Sequence, residues 1–176
     1  RSLVEELRST EYPVILDSSS LKILIFGGSQ GANIFSRVLP QSLDRLDVRL
    51  RSRIEVIHQC RVEDTDTLVS NYRELGIKFE VSEFFSDLPE KIAQSNLVIT
   101  RAGSSILAEL TNCNLPFIAI PLPSSADNHQ LKNALYYQKK KLAFLVEEKN
   151  LKDQLPNLIT EIFNNGSVLA EIIQQQ

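Results

Sequence analysis

The chain has 176 residues, 43% of them apolar and 23% charged, with 19 Lys and Arg against 22 Asp and Glu. That is an ordinary globular composition, long enough for one domain to bury a core of its own. The acidic balance argues against a nucleic-acid partner, no apolar run approaches the ~18 residues of a membrane-spanning helix, and two cysteines, Cys60 and Cys113, without CxxC or Cys/His spacing exclude a disulfide scaffold and a zinc site. The sequence holds no Met and opens on Arg1, so it is read as part of something longer.

In chain order, residues 1–20 lack a strong period, carry the run Ser18-Ser19-Ser20, and read as a connector. KILIF at 22–26, closed by Gly27-Gly28, predicts a buried strand. Apolar residues at helical spacing over 31–46 predict an amphipathic helix kinked or broken at Pro40. A strand at 53–58 follows, then a helix over 64–75 stopped by Gly76, a strand at 77–83 and a short helix over 87–95. LVIT at 97–100, a helix over 104–113, FIAI at 117–120 between two prolines, a helix over 128–138, a strand at 142–146 and a helical stretch over 150–173 broken at Gly166 complete the chain. Strand and helix alternate about six times, and the strands are short continuous apolar runs. Burial on both faces marks a parallel sheet, so the fold class is α/β, doubly wound, Rossmann-like. Residues 21–176 form one domain.

Open sheets of this kind bind ligands at the carboxyl ends of their strands, and four loops there stand out. Gly27-Gly28-Ser29-Gln30-Gly31-Ala32 joins the first strand to the first helix, where glycines allow close backbone approach and the helix end favours phosphate. It is neither GxGxxG nor a Walker A loop, and it also fits a plain tight turn. Glu83-Phe84-Phe85-Ser86-Asp87 offers two aromatics to a flat base; both also fit the core, with Asp87 capping the next helix. In Thr100-Arg101-Ala102-Gly103-Ser104-Ser105, the helix that follows puts Ser105 and Glu109 on one face and Ile106, Leu107 and Leu110 on the core side. A carboxylate there suits the two hydroxyls of a ribose, or is a solvated Glu in the first turns of a helix. Asp127-Asn128-His129-Gln130 with Asn133 gathers polar side chains at one helix end, although Asp127 and Gln130 also fit a capping box. His58-Gln59 ends the second strand without partners for a hydrolase triad. Lys139-Lys140-Lys141 could touch anionic lipid, but three charges are few and fit a solvated face.

The ordered set GGSQGA at 27–32, HQ at 58–59, EFFSDL at 83–88, RAGSSILAEL at 101–110, LP at 115–116 and DNHQLKNA at 127–134 resembles the carboxyl-terminal domain of the MurG family of bacterial peptidoglycan glycosyltransferases. The similarity spans 22 to about 146. It implies one half of a two-domain, type B glycosyltransferase that moves N-acetylglucosamine from UDP-N-acetylglucosamine to lipid I, giving lipid II, on the cytoplasmic face of the inner membrane as a peripheral protein. Residue by residue, it implies that Ser29 and the backbone of Gly27, Gly28 and Gly31 meet the donor phosphates and sugar. Phe84 and Phe85 would hold uracil, Phe85 through its backbone. Ser105 joins the donor site, Glu109 takes the ribose hydroxyls, and Gln130 with His129 reads the GlcNAc hydroxyls. Arg1 would reach the donor from the connector. No catalytic residue, metal or cofactor is expected in this chain; the base, the acceptor site and the family's membrane-facing patch belong to an amino-terminal domain without counterpart here. Ile106 stands where many members have Thr, and Arg61 near where Gly is usual.

Other readings are a catalytic subunit of the eukaryotic enzyme that adds GlcNAc to a dolichol-linked acceptor, another UDP-sugar glycolipid transferase, and a non-catalytic nucleotide-binding module. The sugar-reading loop at 127–130 argues against the last, since a nucleotide alone does not need it.

Overall fold

The computed structural model describes residues 20–176, and only the backbone at 29–31. Arg1 and the connector expected over 1–20 therefore lie outside the described residues, apart from Ser20. Six strands form one sheet: β1 (Leu21–Phe26), β2 (Ile54–Gln59), β3 (Lys78–Ser82), β4 (Leu97–Arg101), β5 (Phe117–Ile120) and β6 (Phe144–Leu145). Their order is β3-β2-β1-β4-β5-β6, and every pairing is parallel. The helices are α1 (Gly28–Leu43), the single turn α2 (Val48–Arg51), α3 (Thr65–Leu75), α4 (Leu88–Gln94), α5 (Ser104–Asn112), α6 (His129–Lys139), α7 (Leu151–Asn164) and α8 (Ser167–Gln175).

β4 and β5 are buried along their whole length, which is why their sequences are unbroken apolar runs. Two cores cover the two faces of the sheet. On one, Phe35, Leu39 and Leu43 of α1 join Leu68 and Tyr72 of α3, and Leu155, Ile159 and Ile162 of α7. On the other, Ile92 of α4, Leu107 and Leu110 of α5 and Ala134 of α6 gather over Leu24, Val98 and Phe117. Each such side chain contributes about 1.5–3 kcal/mol on burial.

The predicted elements are all present, with shifted ends. α1 begins at Gly28 rather than 31 and ends at Leu43 rather than 46. It runs through Pro40, because Leu39 and Leu43 on either side are both fixed in the core. Asp87 stands at the N-cap of α4 but makes no side-chain capping bond: its carboxylate lies 3.5 Å from Lys91 Nζ, which also meets Glu80 Oε2 at 2.7 Å. Gly76 stops α3 in the left-handed conformation, φ 68°, as the sequence predicts. β6 is only two residues long, since Lys141 at φ 59° and the bond from Leu142 N to Tyr137 O still belong to the end of α6.

Candidate functional site

The chain leaves β1 toward β2 on one side and later enters β4 on the other, so β1 and β4 flank the reversal in strand order. Ligands of doubly wound sheets sit at that point, beyond the carboxyl ends of the strands. Phe26 pairs with Thr100 and Arg101 with Ile120, so the loops after β1, β4 and β5 emerge side by side. Gly27-Gly28 turns there into α1. Gly28 has φ 63°, and a Cβ built on it would meet nothing within 4 Å, so backbone conformation rather than space asks for glycine. α1 opens at this turn, which aims the free N–H groups of its first turn at the crevice. The side chains of Ser29 and Gln30 lie outside the described residues.

β3 is two strands from β1, but its loop comes back toward the centre because α4 packs under β1. The two phenylalanines then part. Phe85 is buried, 7% exposed, in the core that also holds Ala102 and Leu107. Phe84 is 72% exposed. The pair expected to flank a base is thus one ring offered to solvent and one anchor. The backbone of Phe84 is held by Ser82, whose hydroxyl donates to Phe84 O at 2.7 Å and accepts from Phe84 N at 3.3 Å. Gln59 adds a bond from Nε2 to Glu83 O at 3.1 Å. One residue earlier, His58 is fully buried with Nδ1 2.7 Å from the Tyr72 hydroxyl, and its Nε2 has no partner among the described residues. Burial pushes the imidazole down to about 3 and the Tyr72 phenol up, so His58 is neutral.

After β4, α5 presents the face the spacing predicts: Ser105 exposed, Glu109 half-buried, Leu107 and Leu110 in the core. Glu109 makes no ion pair with any described residue, so its carboxylate is free for a ligand. The loop in front of α5 is clamped by α6. Gln130 Oε1 accepts from Ala102 N at 3.2 Å and from Leu122 N at 3.0 Å, while Asn133 Nδ2 donates to Ala102 O at 3.0 Å. Both backbone polar groups of Ala102 are thereby satisfied by α6 side chains.

The capping box does not form. Asp127 and Asn128 both take left-handed backbone, φ 50° and 55°, and the residue before α6 is Asn128, without a side-chain cap. The Gln130 N–H bonds Ser125 Oγ instead, at 3.3 Å. Its carboxamide oxygen is committed to two backbone donors, which leaves Nε2 as the group able to meet a ligand. His129 is exposed, 4.0 Å from Asp127.

Arg101 ties these loops together. Its Nη1 donates to Ile120 O at 3.3 Å and Pro121 O at 3.2 Å, its Nη2 lies 2.6 Å from Glu148 Oε2, and its guanidinium stacks 5.0 Å from the Phe35 ring. The described residues hold no cluster of His, Cys, Asp or Glu fit for a metal ion.

Residues 22–176 match the glycosyltransferase family 28 C-terminal domain. The chain belongs to that family. The family 28 chain is 46% identical over 128 residues to UDP-N-acetylglucosamine--N-acetylmuramyl-(pentapeptide) pyrophosphoryl-undecaprenol N-acetylglucosamine transferase of Zymomonas mobilis, covering 73% of this chain and 33% of that protein. It is 36% identical over 171 residues to the enzyme of the same name from Paramagnetospirillum magneticum, covering 97% of this chain and 46% of that one. It spans a third to a half of the length of these curated relatives. The crystal structure of Acinetobacter baumannii MurG superposes with a TM-score of 0.80 at 25% identity, over 93% of this chain and 48% of that one. The fold, though not the sequence, recurs in the lipopolysaccharide glycosyltransferase WaaG, TM-score 0.64 at 16% identity. The resemblance to MurG and the half of a type B glycosyltransferase fold read from the motifs are both borne out.

The sheet brings Gly27, Gly28, Glu109, Gln130 and Phe84 to one edge, with Ser105 and His129 exposed beside them. Sequence reasoning missed Ser82, Gln59, Asn133 and Arg101 as the residues that hold the site's loops. Arg101, Gln59 and Asn133 sit inside the quoted motifs, but Gln59 and Asn133 hold backbone atoms, and Arg101 holds two carbonyls and the distant Glu148, none of which spacing reveals.

Proposed function

We propose that the chain is the donor-binding half of an inverting glycosyltransferase that moves N-acetylglucosamine from UDP-N-acetylglucosamine to lipid I, yielding lipid II for peptidoglycan. The observation that carries the reading is the convergence of the Gly-rich turn, the unpaired Glu109 and the Gln130 amide at the sheet's reversal point, in a family 28 domain. On this reading the diphosphate lies on the first turn of α1, uracil against Phe84, the ribose hydroxyls on Glu109 and the sugar by Gln130 and His129. Ser29 and Ser105 add hydroxyl contacts, and Arg1 reaches in from the connector over 1–20. An amino-terminal domain brings the lipid-linked acceptor and the base, and the protein works as a peripheral enzyme on the cytoplasmic face of the inner membrane. Among the described residues, no helix is long and apolar enough to cross a membrane. Titrating the chain with UDP, UDP-N-acetylglucosamine and NAD by ligand-observed NMR tests the reading. Both uridine nucleotides should bind and NAD should not, since the Gly-rich turn lacks the dinucleotide spacing; tighter binding of NAD overturns it.

A further inference from the structure

α6 carries its chemistry toward the site on its first turn and a different chemistry on its outer face. Lys132, Leu135, Tyr136, Lys139 and Lys140 stand at helical spacing and are all exposed, Leu135 by 47% and Tyr136 by 53%. Lys141 follows, also exposed. Lys140 Nζ lies 4.6 Å above the Tyr136 ring, which stands edge-on to Tyr137 beneath it. From Asn128 to Val146 there is no Asp or Glu, although the chain as a whole has three more acids than bases. The lysines that form ion pairs among the described residues are Lys22, Lys78 and Lys91, so none of these four is neutralised that way. Glu171 of α8 shares a shallow groove with Lys141 at the far end.

We propose that this stripe is a contact surface for an anionic lipid bilayer. Four cations on flexible stems around two half-exposed apolar side chains suit a headgroup layer: the ammonium groups meet phosphates while Leu135 and Tyr136 enter the boundary below. A tyrosine gripped by a lysine can offer its ring to that boundary and its hydroxyl to water. An acidic protein would satisfy the charges but leave the adjacent apolar pair without a reason. α6 starts at the donor edge and runs back along the sheet toward β6, so a membrane against its outer face lies beside the crevice and leaves the opening free. The inference rests on the proposed use of a lipid-linked acceptor.

Sedimentation of the purified 176-residue chain with large vesicles tests it, using phosphatidylcholine alone or with an equal share of phosphatidylglycerol. Binding to the anionic vesicles only, weakened by salt, is expected. K139E/K140E/K141E should lower the partition coefficient at least roughly a hundredfold, from about fivefold per lysine near an anionic surface. Y136A should lower binding but keep its salt dependence. UDP titrations of the same samples report on the fold and on the donor reading independently. UDP binding without vesicle binding overturns the surface and spares the donor reading; vesicle binding without UDP binding does the reverse. Anionic binding that survives the triple substitution, or capture by poly-glutamate in place of vesicles, also overturns the proposal.

Discussion

Arg101, the last residue of β4, and Glu148, in the turn that opens α7, meet 2.6 Å apart beneath the crevice. The guanidinium also holds two carbonyls at the end of β5 and stacks on Phe35, so one side chain joins β4, β5, α1 and α7. Removing one partner of a buried pair leaves the other charge uncompensated, which costs about 3–5 kcal/mol when both are fully buried. Arg101→Met should approach the lower figure in urea denaturation. Glu148→Gln should cost less, because an amide oxygen can still accept from Nη2 and the guanidinium keeps its two carbonyls and the Phe35 ring. Equal stability of Arg101→Met and wild type would mean the pair contributes nothing.

Glu109 has the opposite character. It is half-buried and makes no ion pair among the described residues, so Glu109→Ala should leave the urea midpoint nearly unchanged. Its affinity for UDP and for UDP-N-acetylglucosamine should fall equally, by roughly 1.5–3 kcal/mol, since the ribose is common to both. Calorimetric titration of both ligands checks this; unequal losses would move Glu109 away from the ribose.

On the proposed reading, Gln130 combines structure and recognition on two atoms of one amide. Gln130→Ala strips the acceptor from Ala102 N and Leu122 N and should cost about 1–3 kcal/mol of stability. Gln130→Glu keeps that acceptor and loses the Nε2 donor. It should therefore stay folded and lose more affinity for UDP-N-acetylglucosamine than for UDP. An unchanged ratio of the two affinities would confine Gln130 to the clamp.

His58 gives the fold a pH dependence. Its folded value of about 3 lies far below the ordinary 6.5, because burial opposes the charged ring. Above pH 6.5 both folded and unfolded chains carry it neutral, and it makes no contribution. As pH falls below 6.5 the unfolded chain takes up a proton that the folded chain refuses, so stability declines until about pH 3. Between pH 7 and pH 5 this amounts to about 2 kcal/mol. Urea midpoints at the two pH values should differ accordingly, and the difference should shrink by that amount in His58→Phe.

Transfer needs a base for the acceptor hydroxyl and an acceptor held in line. On the proposed reading both come from across the crevice. The 176-residue chain should bind donor but show no transfer to a lipid I analogue until an amino-terminal domain is supplied. Turnover by the chain alone, abolished by His129→Ala, would make His129 the base.

The sheet was legible because β1, β4 and β5 are buried on both faces and so are spelled as apolar runs, and because Gly76 and Gly166 mark helix ends in the sequence itself. Element ends were less so: Pro40 reads as a break, yet tertiary packing of Leu39 and Leu43 carries the helix past it. The shared outward face of Glu109 and Ser105 followed from helical spacing alone. The unequal fates of Phe84 and Phe85 did not, since adjacent rings look alike until α4 pulls the loop inward and buries one of them. Gln130 looked like a cap because spacing cannot show that the backbone at 127 and 128 turns left-handed.

The grip of Gln130 and Asn133 on position 102 goes to main-chain atoms on both sides. Such a grip is blind to the identity of the residue it holds and asks only that the side chain be small. On the proposed reading, the exposed Ser104 and Ser105 can therefore change, and with them the contacts to the donor, while the path of the chain stays put. Innovation in this loop is decoupled from its architecture, and the conservative burden falls on a helix in a different part of the chain.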